Sequence, residues 1–246
     1  MLIALLTDIH ANREALDSCL ADARRRGAER YVFLGDYVGY GADPSYVVDT
    51  VARMAAVGAV ALLGNHDEAV FGSTERMNPL AAAALAWTRG QLEDAQVAFL
   101  RERPFMVEEG DHLFVHANAY APDGWGYVTD RLEAARSIAA TSCRVTFCGH
   151  VHVPAILHLA PGRPISHLIP VDDAPIALSP EGRWLAVVGA VGQPRDDDSR
   201  ACYALLDDPR NTLTYVRVSY DIDTAATKIL RAGLPAPLAA RLYRGH

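Results

Sequence analysis

The sequence predicts an α/β domain whose two sheets face each other, and three observations carry that prediction. Apolar runs of strand length alternate with amphipathic stretches through residues 1–150, the pattern of a sheet covered by crossover helices. Beyond residue 155 the apolar stretches shorten and are split by Pro, Gly and Asp clusters with little room for helices, as in an antiparallel second sheet. No repeat, low-complexity segment or long linker divides the 246 residues, and half of them are apolar, enough for one sizeable core. A single domain is therefore expected over 1–246, with a motif-bearing part at 1–155 and a second-sheet and C-terminal helical part at 156–246.

In chain order, "LIALL" (2–6) reads as the first strand. The stretch from Asn12 to Arg26 reads as a helix, because Ala15, Leu16, Cys19, Leu20 and Ala23 recur at helical spacing. "YVFLG" (31–35) is the second strand, followed by a helix that opens at "DPS", with Asp43 at the N-cap and Pro44 in the first turn, and closes at Gly58. "AVALLG" (59–64) comes next, then one long helical region from Asn78 to Arg101 with an Asn-Pro start. "HLFVH" (112–116), a helix near 129–141 and "RVTFCGH" (144–150) complete the first part. The later strands are "AILHL", "APIAL", "WLAVVGAVG", "CYALL" and "LTYVRVSY", and a last helical segment over 223–243 is interrupted by "GLPAP".

Composition excludes several function classes. A formal net charge of −7 argues against tight, sequence-independent nucleic-acid binding, which draws its affinity from cations displacing counterions. Arg24 to Arg26 end a helix, where cations oppose the macrodipole, and read as a solvated cap. Cys19, Cys143, Cys148 and Cys202 form no Cys-x-x-Cys pair, against both a disulfide framework and a structural zinc site. No apolar run approaches a signal-peptide core or a membrane span, so a cytoplasmic location without membrane association is expected.

The chemistry-bearing residues recur in one place. "LIALL" runs into Asp8 and His10, "YVFLG" into Asp36, "AVALLG" into Asn65, His66 and Asp67, "HLFV" into His116, and "RVTFCG" into His150 and His152. In an open α/β sheet the carboxyl ends of parallel strands share one edge, so these stretches are expected to converge on one crevice. Asp8 and His10 are two residues apart, as are His150 and His152, and in extended chain such pairs leave one face. Carboxylate, imidazole and amide ligands together suit manganese, iron or zinc better than calcium or a thiolate-bound zinc. Asp8, His10, Asp36, Asn65, His116, His150 and His152 are more ligands than one ion needs, whereas two ions sharing a bridging carboxylate use them all. Two such ions about 3.5–4 Å apart clamp a phosphoryl group and lower the pKa of a shared water. His66, left outside the ligand set, is suited to protonating the leaving group. Asp67 is suited to orienting an imidazole, His66 or one of the ligands.

"TDIHAN", "GDYVGYG", "GNHD", "FVHAN" and "GHVH", in that order between residues 7 and 152, resemble the five motif blocks of the calcineurin-like metallophosphoesterase superfamily, and more narrowly its small bacterial and archaeal phosphodiesterases. "VGAVGQPRDDDSRACYALLD" is similar to the closing part of that subgroup. The resemblance implies a four-layer αββα sandwich of two facing mixed sheets flanked by helices. It implies one ion on Asp8, His10 and His152, a second on Asn65, His116 and His150, Asp36 bridging, and His66 as the catalytic histidine. The third implied feature is the reaction: a metal-bound hydroxide hydrolyses a phosphoester with His66 as general acid. "GDYVGYG" departs from the protein phosphatase branch, which carries an Asp-Arg pair where Gly39 and Tyr40 stand, so phosphate gripping has to come from elsewhere. Arg195, whose guanidinium fork matches phosphate oxygens, is the first candidate, and Asn12 a second.

The expected substrate is a phosphoester small molecule or nucleotide. A dinucleoside polyphosphate hydrolase or nucleotidase is the alternative reading, and a non-catalytic scaffold of the same fold is argued against by His66 and the complete ligand set. His112, His158, His167 and His246 read as packing or surface residues, and Asp196 to Asp198 as a solvated acidic loop. Tyr37 and Tyr40 either stack on a nucleobase or pack over the metal loop.

Overall fold

A computed structural model describes residues 1–75 and 77–246. Its strands form two six-stranded sheets. In the first, β1 (Leu2–Leu6) lies between β2 (Arg30–Phe33), which it pairs in parallel, and β11 (Ala201–Asp207), which it pairs antiparallel; β3 (Val60–Ala61) extends one side, and β12 (Thr212–Val218) and β9 (Ile176–Ala177) the other. In the second, β6 (Val145–Cys148) runs parallel to both β5 (His112–Val115) and β10 (Arg183–Val187). The edges of that sheet are β4 (Met106–Glu109) beyond β5, and β7 (Ala155–Leu159) followed by β8 (Ser166–Leu168) beyond β10.

The period-2 alternation of the strands creates the layers. Ile3 and Leu5 of β1, Val32 of β2 and Cys202, Ala204 and Leu206 of β11 face Phe114, Val145, Phe147, Trp184 and Ala186 of the other sheet. Phe114 and Phe147 stack there with centroids 5.6 Å apart. On the opposite face of the first sheet, Ala4, Leu6, Phe33, Tyr203 and Leu205 bury the apolar sides of α1 (Arg13–Arg25) and α2 (Pro44–Ala55). Val115, Cys148, Leu185 and Val187 bury α6 (Arg131–Ala139) on the outer face of the second sheet. The architecture is thus the four-layer αββα sandwich of two mixed sheets.

Three expectations need correction. The late strands do not form a sheet of their own: β9, β11 and β12 complete the first sheet and β7, β8 and β10 the second, because each partial sheet offers β1 or β6 as an unpaired edge. The helical region from Asn78 to Arg101 is two helices, α4 (Pro79–Arg89) and α5 (Asp94–Arg101). Gly90 ends the first through its amide on the Trp87 carbonyl, and Gln96 restarts the chain by accepting the Glu93 amide. "GNHD" opens a short helix, α3 (Asn65–Phe71), that its apolar lead-in conceals. The terminal segment divides at "GLPAP" into α7 (Ile222–Arg231) and α8 (Ala236–Arg244), which pack with α4 around Tyr40. No described helix is long and apolar enough to cross a membrane.

Candidate metal centre between the sheets

The ligand-type residues converge, but from two sheets rather than one edge. Asp8, Asp36 and Asn65 follow β1, β2 and β3, while His116 and His150 follow β5 and β6. Nor are the paired spacings extended. Asp8, His10, Asp36, His150 and His152 all have φ between 50° and 67°, the left-handed region. Backbone bonds impose that turn: the amides of Asp8 and His10 donate to the carbonyls of Gly35 and Asp36, and Gly192 donates to the Asp8 carbonyl. Gly64 matters for another reason, since a Cβ there would overlap the Asp36 amide and carboxylate.

Hydrogen bonding fixes which ring atoms point inward. The Nδ1–H groups of His10, His116 and His152 donate to the carbonyls of Val38, Leu34 and Gln193 at 2.9, 2.8 and 2.5 Å, which leaves each Nε2 as a lone pair in the neutral ring. His150 has the opposite assignment, its Nε2 lying 3.0 Å from the Trp125 carbonyl and leaving Nδ1 as the acceptor. The inward Nε2 atoms then face other acceptors. His152 is 3.1 Å from Asp8 Oδ1, His10 and His116 are 3.6 and 3.5 Å from Asp36 Oδ2, and His116 is 3.2 Å from Asn65 Oδ1. Asp8 Oδ1 is buried without any hydrogen-bond partner. Acceptors converging on acceptors in a dry interior are unfavourable until a cation sits among them, so this donor set fits divalent ions. Three groups have ligand atoms within 4.8 Å of one another: Asp8, His10 and His152; Asp36, His116 and His150; and His10, Asp36 and His66.

Without ions, carboxylates and imidazoles partly offset one another. Burial alone would lower His116, but the Asp36 carboxylate outweighs it and lifts the ring to about 9. Burial would raise Asp36 and Asp8, yet the imidazoles around them, His116 and His152 foremost, hold both below the usual carboxylate range. Burial pulls His66 down to about 4 and His150 to about 3.

Residues 1–209 match the calcineurin-like phosphoesterase superfamily domain. The chain belongs to that superfamily. It is 34% identical over 251 residues to the uncharacterized protein MJ0912 of Methanocaldococcus jannaschii, covering 99% of this chain and 98% of that one. Among solved structures it resembles a metallophosphoesterase from Sphaerobacter thermophilus, 35% identical, with a TM-score of 0.89 over 100% of this chain and 99% of the other. The hypothetical protein PH1004 from Pyrococcus horikoshii, 18% identical, shares the fold at a TM-score of 0.81 over 100% and 98% of the two chains.

Within this phosphoesterase domain the remaining residues take clear positions. His66 is buried, its ring edge-on to His10 and tilted against Tyr40, with Nδ1 unpartnered and its amide donating to Asp36 Oδ1 at 2.8 Å. Gly39 makes room for that ring, because a Cβ there would overlap His66 Nδ1. Asp67 does not orient an imidazole. Its oxygens accept the amides of Asp36, Tyr37 and Gly64 at 2.7, 2.9 and 3.0 Å, so it shapes the Asp36 loop instead. Burial and the nearby Asp36 charge push Asp67 up to about 8, against the pull of the Gly64 and Tyr37 amides. Asn12 is occupied structurally, its carbonyl capping α1 at Ala15 and its amide donating to the Gly192 carbonyl. Tyr37 is fully buried with its hydroxyl on the Leu62 carbonyl, which removes it from any stacking role. Arg195 reaches the site's rim, donating to Gln193 Oε1 at 3.0 Å.

Sequence reasoning missed Trp125, Tyr127 and Arg241. Tyr127 stacks on His150 with centroids 4.1 Å apart, and Trp125 holds His150 through its carbonyl while its indole donates to Glu68. None lies in a motif block; the one local signal is the Pro-Asp-Gly of "PDGWGY", which marks a turn. Family membership implies divalent ions, and the five left-handed candidate ligands each cost on the order of 1–3 kcal/mol. Ions held a thousandfold above their dissociation constant return about 4 kcal/mol each. Removing both with a chelator is therefore expected to lower the melting temperature by roughly 20 °C, as read by calorimetry.

Proposed function

We propose that the protein is a dinuclear metal-dependent phosphoesterase acting on phosphodiesters, with His66 as the general acid. One observation carries this reading: Asp36 Oδ2 stands within 3.6 Å of His10 Nε2 and 3.5 Å of His116 Nε2, a single carboxylate oxygen between two ligand groups. Asp8, His10 and His152 would hold one ion, Asn65, His116 and His150 the other, and manganese, iron and zinc suit that donor set. When bound, two such ions acidify a shared water and neutralise charge on the phosphoryl oxygens.

The chain's own groups supply orientation and a proton. Asp67 fixes the loop that aims Asp36, and the Asp36 carboxylate in turn anchors the His66 amide. Free His66 is neutral because of its burial, so the anionic phosphoester supplies the counter-charge that lets it carry a proton to the leaving oxygen. Beside Asn65 and His150 opens a cleft of about 720 Å³ lined by Trp125, Tyr127, Glu68 and Asp123. Its aromatic walls and carboxylates favour a flat organic arm over a second phosphate on that side, as a diester would present. Four buried free cysteines support a reducing, cytoplasmic setting.

Elemental analysis of the purified protein, followed by a phosphoester panel under each metal found, tests the proposal. The expected outcome is manganese-dependent hydrolysis of bis-p-nitrophenyl phosphate. A metal-loaded sample that cleaves no mono-, di- or pyrophosphate ester would sink it.

A further inference from the structure

We infer that Arg195 and Arg241 form a second anion subsite on the rim of the metal centre, built for a phosphoryl group adjoining the one that reacts. The inference rests on the phosphoesterase reading and deepens it: the substrate carries a diphosphate or longer phosphate chain rather than one isolated phosphoester.

Two guanidinium groups share one neutral acceptor here. Arg195 and Arg241 donate to the same atom, Gln193 Oε1, at 3.0 and 3.2 Å. No described carboxylate lies within ion-pair reach of either, although several half-buried cations elsewhere are paired: Arg30 with Glu109, Arg217 with Asp196, Lys228 with Glu14 and Asp43. The nearest acidic residues in sequence are turned away. Asp196 is taken by Arg217 and Asp198 by Arg200, while Asp197 is exposed and its amide donates to the Gly245 carbonyl. Arg195 Nε is buried with no partner at all. Burial and the adjoining Arg195 cation lower the Arg241 guanidinium below its ordinary value. Like charges brought together without a counter-ion are unfavourable unless an anion completes them, and guanidinium forks match phosphate oxygens.

The pair is also placed for the reaction. Both guanidinium carbons lie about 6 Å from the centroid of Tyr40, at 5.8 and 6.0 Å, and that ring packs against His10 and His66 at 4.7 and 4.6 Å. The Arg195 amide donates to the carbonyl of His152, a ligand-type residue. The last helix, α8, brings Arg241 in, and its end is held to the 196–198 loop by the Asp197–Gly245 bond. The acidic, aromatic cleft opens beside Asn65 and His150 instead, so the phosphate chain is steered toward the arginines and the organic arm toward Trp125.

The test compares metal-loaded wild type with Arg195→Met, Arg241→Met, Arg241→Lys and, as a control on the same helix, Arg244→Ala. Two substrates are used, bis-p-nitrophenyl phosphate with one phosphorus and a dinucleoside polyphosphate with several. The ratio of kcat/KM for the polyphosphate to that for the single phosphodiester is expected to fall at least tenfold in both methionine variants, through KM, with partial rescue by lysine and none of this loss in the control. Calorimetry adds a reading that needs no turnover: wild type should bind methylenediphosphonate at least tenfold more tightly than methylphosphonate, and Arg241→Met should lose that advantage. Equal affinity for the two phosphonates, or a ratio within twofold of wild type in both methionine variants, overturns the subsite. A wild type that binds the diphosphonate selectively but hydrolyses no ester keeps the subsite and overturns the enzymatic reading.

Discussion

Asp36→Asn is expected to lower turnover by on the order of a thousandfold and to leave the purified protein short of bound metal. The carboxylate's two oxygens have separate duties: Oδ2 faces His10 and His116, and Oδ1 accepts the His66 amide. An asparagine can keep the second duty through its carbonyl, so the α3 entry survives. Its NH₂, however, replaces the charged group that would join the two ions. In the metal-free protein the substitution also removes the counter-charge that lifts His116, so the chelated variant should melt no higher than the chelated wild type. Elemental analysis, steady-state kinetics and a melting curve of the chelated protein check the three parts together. Full metal content with normal turnover would show that Asp36 does not join the two halves of the site.

His66→Ala is expected to cost about 10²–10⁴ in kcat while both ions stay bound. The alanine keeps the backbone amide that Asp36 anchors, and it removes a ring whose contacts are packing against His10 and Tyr40. The size of the loss should depend on the leaving group. A p-nitrophenolate departs without help, so its ester should lose little, whereas an alkyl ester needs the proton and should lose the full amount. Equal losses on both esters, with metal content intact, would remove the general-acid role from His66.

The convergence of the candidate site was legible because its ligand-type residues sit where apolar strands stop, and hydrophobic runs are read easily from sequence. The conformations between those ligands were not. Asp8 and His10 look extended by spacing, yet the carbonyls of Gly35 and Asp36, far along the chain, hold them in left-handed turns. Sheet membership was hidden for the same reason: β11 pairs with β1 across some two hundred residues, and no local pattern records a partner so distant. Asp67 misled because a carboxylate beside a histidine suggests that the two are bonded, whereas burial directed it to backbone amides. Arg241 was invisible because a cation in the last turns of a helix ordinarily balances the macrodipole, and only α8 docking on the 196–198 loop gives it another occupation.

Each proposed ion would draw its ligands from both sheets, whose inner faces meet at the Phe114–Phe147 interior. Sliding one layer past the other by a single strand residue, about 3.3 Å, exceeds any coordination tolerance. Oily side chains with no chemistry of their own thus set the spacing on which the proposed pair of cations would depend. Thinning or thickening that filling would alter metal preference without touching a ligand.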